Sequence, residues 1–329
     1  MMTTILRKMT MRLLRINARL PQPRISQSLS DPLGSATRLG KMDMDIAARY
    51  KGIRAAMLEL FRAIPASQAN AESSGIYYYD FSASRAASFI DELQRLLDQF
   101  LLEGDTFDHG QMWANIHIGN AWEAGTQRAN SELSSLSSLY AEQRPMASIL
   151  YSEPYLNRLQ LAYTQGHSDW SGLSDYTRQQ VASVVMEGVA RGANPRDIES
   201  DIVKRADVSH SYARSIAQTE ITGVLRESNR KEVIEARETL GIETIMLWMS
   251  ALMATTRVTH AERHGDFYTP EEIDTFYSEG ANRRNCHCAQ TPALVMDGAP
   301  VILGSSQKKM DDAKEKWLGS HGTQSKKPS

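Results

Sequence analysis

Only two of the 329 residues are cysteine, a scarcity that excludes a disulfide-stapled secreted scaffold. Long apolar runs are missing as well. The longest, "IMLWMSALMA" at 245–254, has about half the length needed to cross a bilayer as a helix. The N-terminus lacks the continuous apolar core and small-residue cleavage site of a secretory signal. A cytoplasmic product without a membrane partner is therefore expected. Neither sign of charge dominates: 37 basic and 39 acidic side chains leave a formal net charge of −2, so overall charge does not point to nucleic acid. No glycine-rich phosphate loop occurs, which removes the common nucleotide-hydrolysing classes.

What charge there is lies unevenly. Residues 1–24 hold Arg7, Lys8, Arg12, Arg15, Arg19 and Arg24, and the first acid is Asp31. As a helix, Lys8, Arg12, Arg15 and Arg19 would form one stripe, and Ile5, Met9, Leu13, Ile16 and Leu20 another. Such an arm suits docking on a partner, on nucleic acid or on a membrane surface, and a mitochondrial presequence has a similar pattern. A frayed helix covering part of the core has the same pattern. "PQPRISQSLSDPLGS" at 21–35 reads as a linker.

From about 42 to 240 the apolar period is helical. In "ASRAASFIDELQRLLDQFLLEGD" it puts Ile90, Leu93, Leu96, Leu97, Phe100 and Leu101 on one face. "YYYDF" at 77–81 reads as an aromatic plug rather than a strand, and 112–144 as a helix stopped by Pro145. "SDYTRQQVASVVMEGVARG" predicts a helix capped by Ser174 and ended by Gly192. A second helix follows, with Asn194 as cap and Pro195 in its first turn. A third then runs from about Ser209 to Leu240. After Gly241 the texture changes to short, β-compatible segments. The expected fold is thus a mainly α N-terminal scaffold followed by a small α+β C-terminal module. The expected divisions are a basic arm and linker (1–40), a helical domain (41–172), the module (173–305), and a disordered polar tail (306–329).

Both cysteines sit in "NCHC" at 285–288, too close together for an ordinary loop-closing disulfide. Two readings stand. In one, favoured by residue type alone, Cys286 and Cys288 are small buried hydrophobes in a turn. In the other they are thiolates of a metal site. His260 and His264, one helical turn apart, would complete a two-imidazole, two-thiolate set suited to structural zinc. C-x-C is tighter than the usual finger spacing, and no cofactor follows with certainty.

The order of these features resembles the Mu F-like head morphogenesis family of tailed bacteriophages. The resemblance covers about 174–295 and rests on four features. A helix–Gly–Asn–Pro–helix unit leads into "SIAQTE" at 215–220; a tryptophan strand follows at Trp248; then come "TRVTHAERHG" at 256–265 and "NCHC". Family members typically carry Ile-Ala-Arg-Thr-Glu, then Asp-x-Arg-x-Arg-x-x-His ending in Gly, then Asn-Cys-Arg-Cys. Thr219, Glu220, Arg257, His260, Gly265, Asn285, Cys286 and Cys288 keep the motif residues. Gln218 and His287 replace arginines, and the usual aspartate and first arginine fall on Met253 and Thr255.

The resemblance implies a minor head protein of the virion that acts in head morphogenesis. Its implied partners are the portal protein and capsid or scaffolding proteins, and the arm adds contact with packaged double-stranded DNA. Its implied place is the head interior or portal vertex, with the host cytoplasm as the site of assembly. The rival class is a metal-dependent hydrolase or toxin-like enzyme built on the His/Cys cluster. Glu220, His260, Arg257 and a cysteine are the types such a site needs, but "HAERH" is not H-E-x-x-H. The expectation is a protein that is not an enzyme.

The basic stripe gives a direct test. Replacing Arg12, Arg15 and Arg19 by Ala should weaken non-specific DNA binding and lower the salt slope by about one unit for each phosphate no longer neutralised. Titrations at several salt concentrations measure it; an unchanged slope leaves the arm with a packing or protein-docking role.

Overall fold

The computed structural model describes residues 20–68 and 75–321. The stripe of Lys8, Arg12, Arg15 and Arg19 lies outside them. Ten helices and six short strands are present among the described residues, as the expected fold class requires. The chain divides into two compact units, interleaved in sequence. One comprises residues 35–122 and 152–224; the other comprises residues 1–34, 123–151 and 225–329.

The 35–122/152–224 unit is helical. It contains α1 (Ala36–Arg62), α2 (Ala83–Leu101), the first part of α3 (Trp113–Leu136), α6 (Glu153–Ala190) and the first part of α7 (Pro195–Leu240). Ser82 caps α2 by accepting the Arg85 N–H at 3.4 Å. Its buried stripe is Phe89, Leu93, Leu97 and Leu101, one residue round from the expected face: Ile90, Leu96 and Phe100 are only half-buried. Tyr77–Tyr79 is a strand (β2) paired antiparallel with Ala66–Gln68 (β1), not a plug. The Tyr79 hydroxyl donates to the Ala193 carbonyl at 2.6 Å, which ties this hairpin to the end of α6.

Two expected helix boundaries disappear. Ser174 does not start a helix; it is buried inside α6, and its hydroxyl donates to Asp98 Oδ1 at 2.6 Å. Ser152 is the cap instead, accepting the Tyr155 N–H. The expected division between 172 and 173 therefore falls inside one continuous helix. Likewise the two helices expected between 195 and 240 are a single element of 46 residues. Asn194 and Pro195 do start it: the Asn194 side chain accepts the Arg196 N–H at 3.0 Å.

The other unit holds the sheet. β3 (Thr244–Met249) pairs antiparallel with β5 (Ala289–Met296), β4 (Phe267–Tyr268) flanks β3, and β6 (Ala299–Pro300) flanks β5. α9 (Pro270–Ser278) opens with a reciprocal cap. Thr269 Oγ1 accepts the Glu272 N–H, the Glu272 carboxylate accepts the Thr269 N–H, and Pro270 occupies the first turn. The core gathers Trp248, Met246, Ile273, Phe276 and Tyr277 around Val233 and Ala236 of α7. Ser137 breaks the helix expected over 112–144 by capping α4 (Ser138–Gln143). α4 places Tyr140 and the following Arg144 around the buried Glu232. That carboxylate accepts the Tyr140 hydroxyl at 2.6 Å and two Arg144 N–H groups at 2.8 and 3.0 Å. Buried charge is tolerated here because it is paired and fully hydrogen-bonded.

Two segments are more ordered than expected. Residues 20–34 are laid against their unit: Leu29 O accepts the Leu252 N–H at 2.9 Å, and Leu33 is buried. Of the supposed tail, residues 306–321 belong to α10 (Gly304–His321), and 322–329 lie outside the described residues. Met310 and Trp317, two turns apart, bury its inner face, and the indole N–H donates to the Met253 carbonyl.

α3 and α7 approach closely at Gly125. A Cβ there would press into Ser228 Oγ and lie 2.5 Å from the Leu225 carbonyl oxygen. Gly125→Ala should lower stability by about 1–3 kcal/mol through overpacking. The guanidinium unfolding midpoint should fall with an unchanged slope; an unaltered midpoint contradicts the close approach.

Candidate functional site

Asn285 has φ +50, a left-handed conformation that asparagine tolerates better than most residues. It turns the chain after α9 toward β5. Residues 286–288 lead directly into β5 at Ala289, and in a strand residues i and i+2 face the same way. That geometry accounts for C-x-C: Cys286 and Cys288 present their sulfurs together, both buried. Beneath them lies Arg226 on α7, 2% exposed. Its Nη1 donates to the Cys286 carbonyl at 2.8 Å and reaches the Cys288 carbonyl at 3.4 Å. Its guanidinium carbon sits 4.6 Å above the Tyr277 ring.

His260 comes from α8 (Val258–Ala261), the short helix between β3 and β4. It is 1% exposed, and its ring packs edge-on to Phe276 and Trp248. Its carbonyl accepts the Ser250 hydroxyl, which in turn receives the Trp248 indole N–H. Its Nδ1 lies 3.4 Å from Cys286 Sγ and 3.6 Å from Cys288 Sγ. Arg257 donates to the Arg284 carbonyl at 2.7 Å and stands 3.5 Å from His260 Nε2. A cavity of about 310 Å³ opens over the group, lined by Arg257, Asn285 and His287 besides the three donors.

The two thiols differ. The Cys288 thiol hydrogen bond, then the buried Arg226 charge and His260, hold Cys286 well below the usual thiol range against burial. Burial first, and then the neighbouring Cys286, push Cys288 well above it. The Tyr277 hydroxyl lies 3.5 Å from Cys286 Sγ and accepts from Gln290 at 3.1 Å.

Of the four expected metal ligands, the fold brings together His260, Cys286 and Cys288. His264 is turned elsewhere. Its Nδ1 accepts the Ser250 N–H at 3.0 Å, and it lines a separate cavity with Met249 and Met310. Arg257 and Asn285 join the first cavity. Thr219 and Glu220 belong to the helical unit, where Glu220 is buried and accepts the Trp170 indole N–H at 3.1 Å. Thr219 donates to the Ser215 carbonyl four residues back. A second group, Asp105, His109 and His167, is partly exposed. His109 is hydrogen-bonded to Asp105 at 2.8 Å, and His167 Nε2 stands 3.2 Å from the other Asp105 oxygen.

Sequence inspection passed over Arg226, Tyr277 and Gln290. The signal for Arg226 was present: it shares a helix face with Arg230 and the buried Val233, where the period calls for an apolar side chain.

Burial first, and then Lys314, lower His264 to about 4 from its usual 6.5. The unfolded chain therefore takes up this proton before the folded chain does. Stability is lost as pH falls from about 6.5 to about 4, with no further loss from this group below that. Relative to His264→Gln, the wild type should lose on the order of 3 kcal/mol across that window. Guanidinium midpoints measured at several pH values report it; parallel curves would refute the buried, neutral imidazole.

Residues 179–291 match the family model described as Phage Mu protein F like protein. A protein of Haemophilus influenzae described as an uncharacterized protein is 23% identical over 146 residues. That match covers 42% of this chain and 30% of the other, so the chain spans under a third of that relative's length. No solved structure matches. The matched segment runs from within α6 to within β5 and includes every residue of the His/Cys cavity. Over residues 179–291 this chain is thus similar to the family described as Phage Mu protein F like protein.

Proposed function

We propose that the protein is a minor head protein of a tailed phage, acting in head morphogenesis at the portal vertex and retained in the head interior. The observation that carries this reading is the family match over residues 179–291. The features behind the match come in the family's order: the long helix with "SIAQTE", the Trp248 strand, Arg257 and His260, then Asn285, Cys286 and Cys288. Its partners are the portal protein and the capsid or scaffolding proteins. The basic residues of the first 24 lie next to packaged double-stranded DNA, where phosphates supply the charge that six cations without an acid would balance.

The role is structural rather than catalytic. The core around Trp248 is closed by aromatic packing, and buried charges such as Glu232 are neutralised by hydrogen-bonded arginine. A module closed by aromatic packing suits a part that must keep its shape while a larger shell assembles on it. Family residues Glu220 and Thr219 spend their polar groups on helix and core contacts. That is the pattern of an architectural motif.

Co-expression with the portal protein of the same phage tests this. The chain should co-purify with portal rings and be found in purified procapsids. Absence from procapsids together with no measurable affinity for the portal would overturn it.

A further inference from the structure

Three donor atoms meet at the base of the 310 Å³ cavity: His260 Nδ1, Cys286 Sγ and Cys288 Sγ, all within 4.8 Å of one another. Zinc bonds of about 2.3 Å to sulfur and about 2.0–2.1 Å to nitrogen, at the tetrahedral angle, separate sulfur from nitrogen by about 3.5 Å. The observed separations are 3.4 and 3.6 Å. We propose that His260, Cys286 and Cys288 form a tetrahedral zinc site with three protein ligands, whose fourth position opens into the cavity.

The surroundings meet the needs of such a site. C-x-C at the entry to β5 brings both sulfurs to His260 Nδ1, and Arg226 anchors both carbonyls so that the pair keeps its direction. His260 is fixed by its carbonyl bond to Ser250 and by the Phe276 and Trp248 rings. Preset, buried ligands of this kind bind metal without much ordering cost. Two thiolates cancel the charge of a zinc ion. Arg226 below and Arg257 at the cavity wall are then cations beside a neutral centre, a balance that favours an anionic fourth ligand such as hydroxide or a carboxylate. The site does not depend on the head-protein reading, and its failure would leave that reading standing.

Elemental analysis of the full-length protein, purified under reducing conditions, is the first measurement. Stoichiometric zinc is expected. Replacing zinc with cobalt(II) should give a thiolate-to-cobalt charge-transfer band and the intense visible bands of tetrahedral cobalt. This spectrum reads the ligands in the wild-type chain, so the test does not hinge on variants folding. Adding azide should shift the visible bands, because an open position accepts it. Cys286→Ser, Cys288→Ser and His260→Asn should lose the metal, whereas His264→Gln and His167→Gln should keep it. Wild-type protein without zinc after reconstitution overturns the site. So does metal that survives the cysteine substitutions and leaves with His167. A cobalt spectrum indifferent to azide overturns the open position.

Discussion

A guanidinium in a protein interior is costly unless its donors are met, and Arg226 offsets part of that cost through Nη1, which holds the backbone of both cysteines. The bond works in both directions. The carbonyls of Cys286 and Cys288 are held, so the sulfurs are aimed; the charge is accepted, so α7 can keep an arginine on its buried face. Tyr277 completes the contact from α9, with its ring against Arg226 and its hydroxyl near Cys286 Sγ. The turn at Asn285, the start of β5 and the middle of α7 are thereby tied at one point. Arg230, one turn further along the same face, pairs with Asp274 and extends the tie to α9.

The sheet supplies the opposite wall. β3 runs between β4 and β5, and Trp248 on it is fully buried against Phe276, Tyr277 and Tyr268. Its indole N–H reaches Ser250, whose hydroxyl reaches the His260 carbonyl. A large apolar side chain thus fixes the position of a polar one through a single hydroxyl. His260 is placed by this chain of contacts and not by α8, which is only four residues long.

The departures from the family motif fall where they change the cavity most. Met253 and Thr255, at the positions of the usual aspartate and first arginine, line it, and so does His287, which stands for an arginine. Arg257 and Asn285 remain. Relative to the family pattern, the cavity is short of an acid and two cations. Sulfur and imidazole are left as its most reactive groups. Gln218, the fourth departure, belongs to the helical unit and is not one of the cavity residues.

The fold class, the resemblance over residues 179–291 and the features written in local order were legible in the sequence. Asn194 and Pro195 start a helix, Gly192 ends one, and Asn285 makes the turn before the cysteines, because caps and left-handed turns depend on a few neighbouring atoms. It also singled out Cys286, Cys288 and His260, whose residue types carry their chemistry wherever they stand. Tertiary structure decided the rest. Ser174 has the residue type of a cap, but Asp98 takes its hydroxyl and the helix continues. Met310 and Trp317 convert a polar tail into a packed helix, because two buried side chains outweigh many solvated ones. His264 has the spacing of a ligand, yet the Ser250 N–H claims its Nδ1. Arg226 lies 60 residues before Cys286. Only the closing of that distance in the fold made it the partner of the cysteines, since no local pattern records a contact formed between segments so far apart.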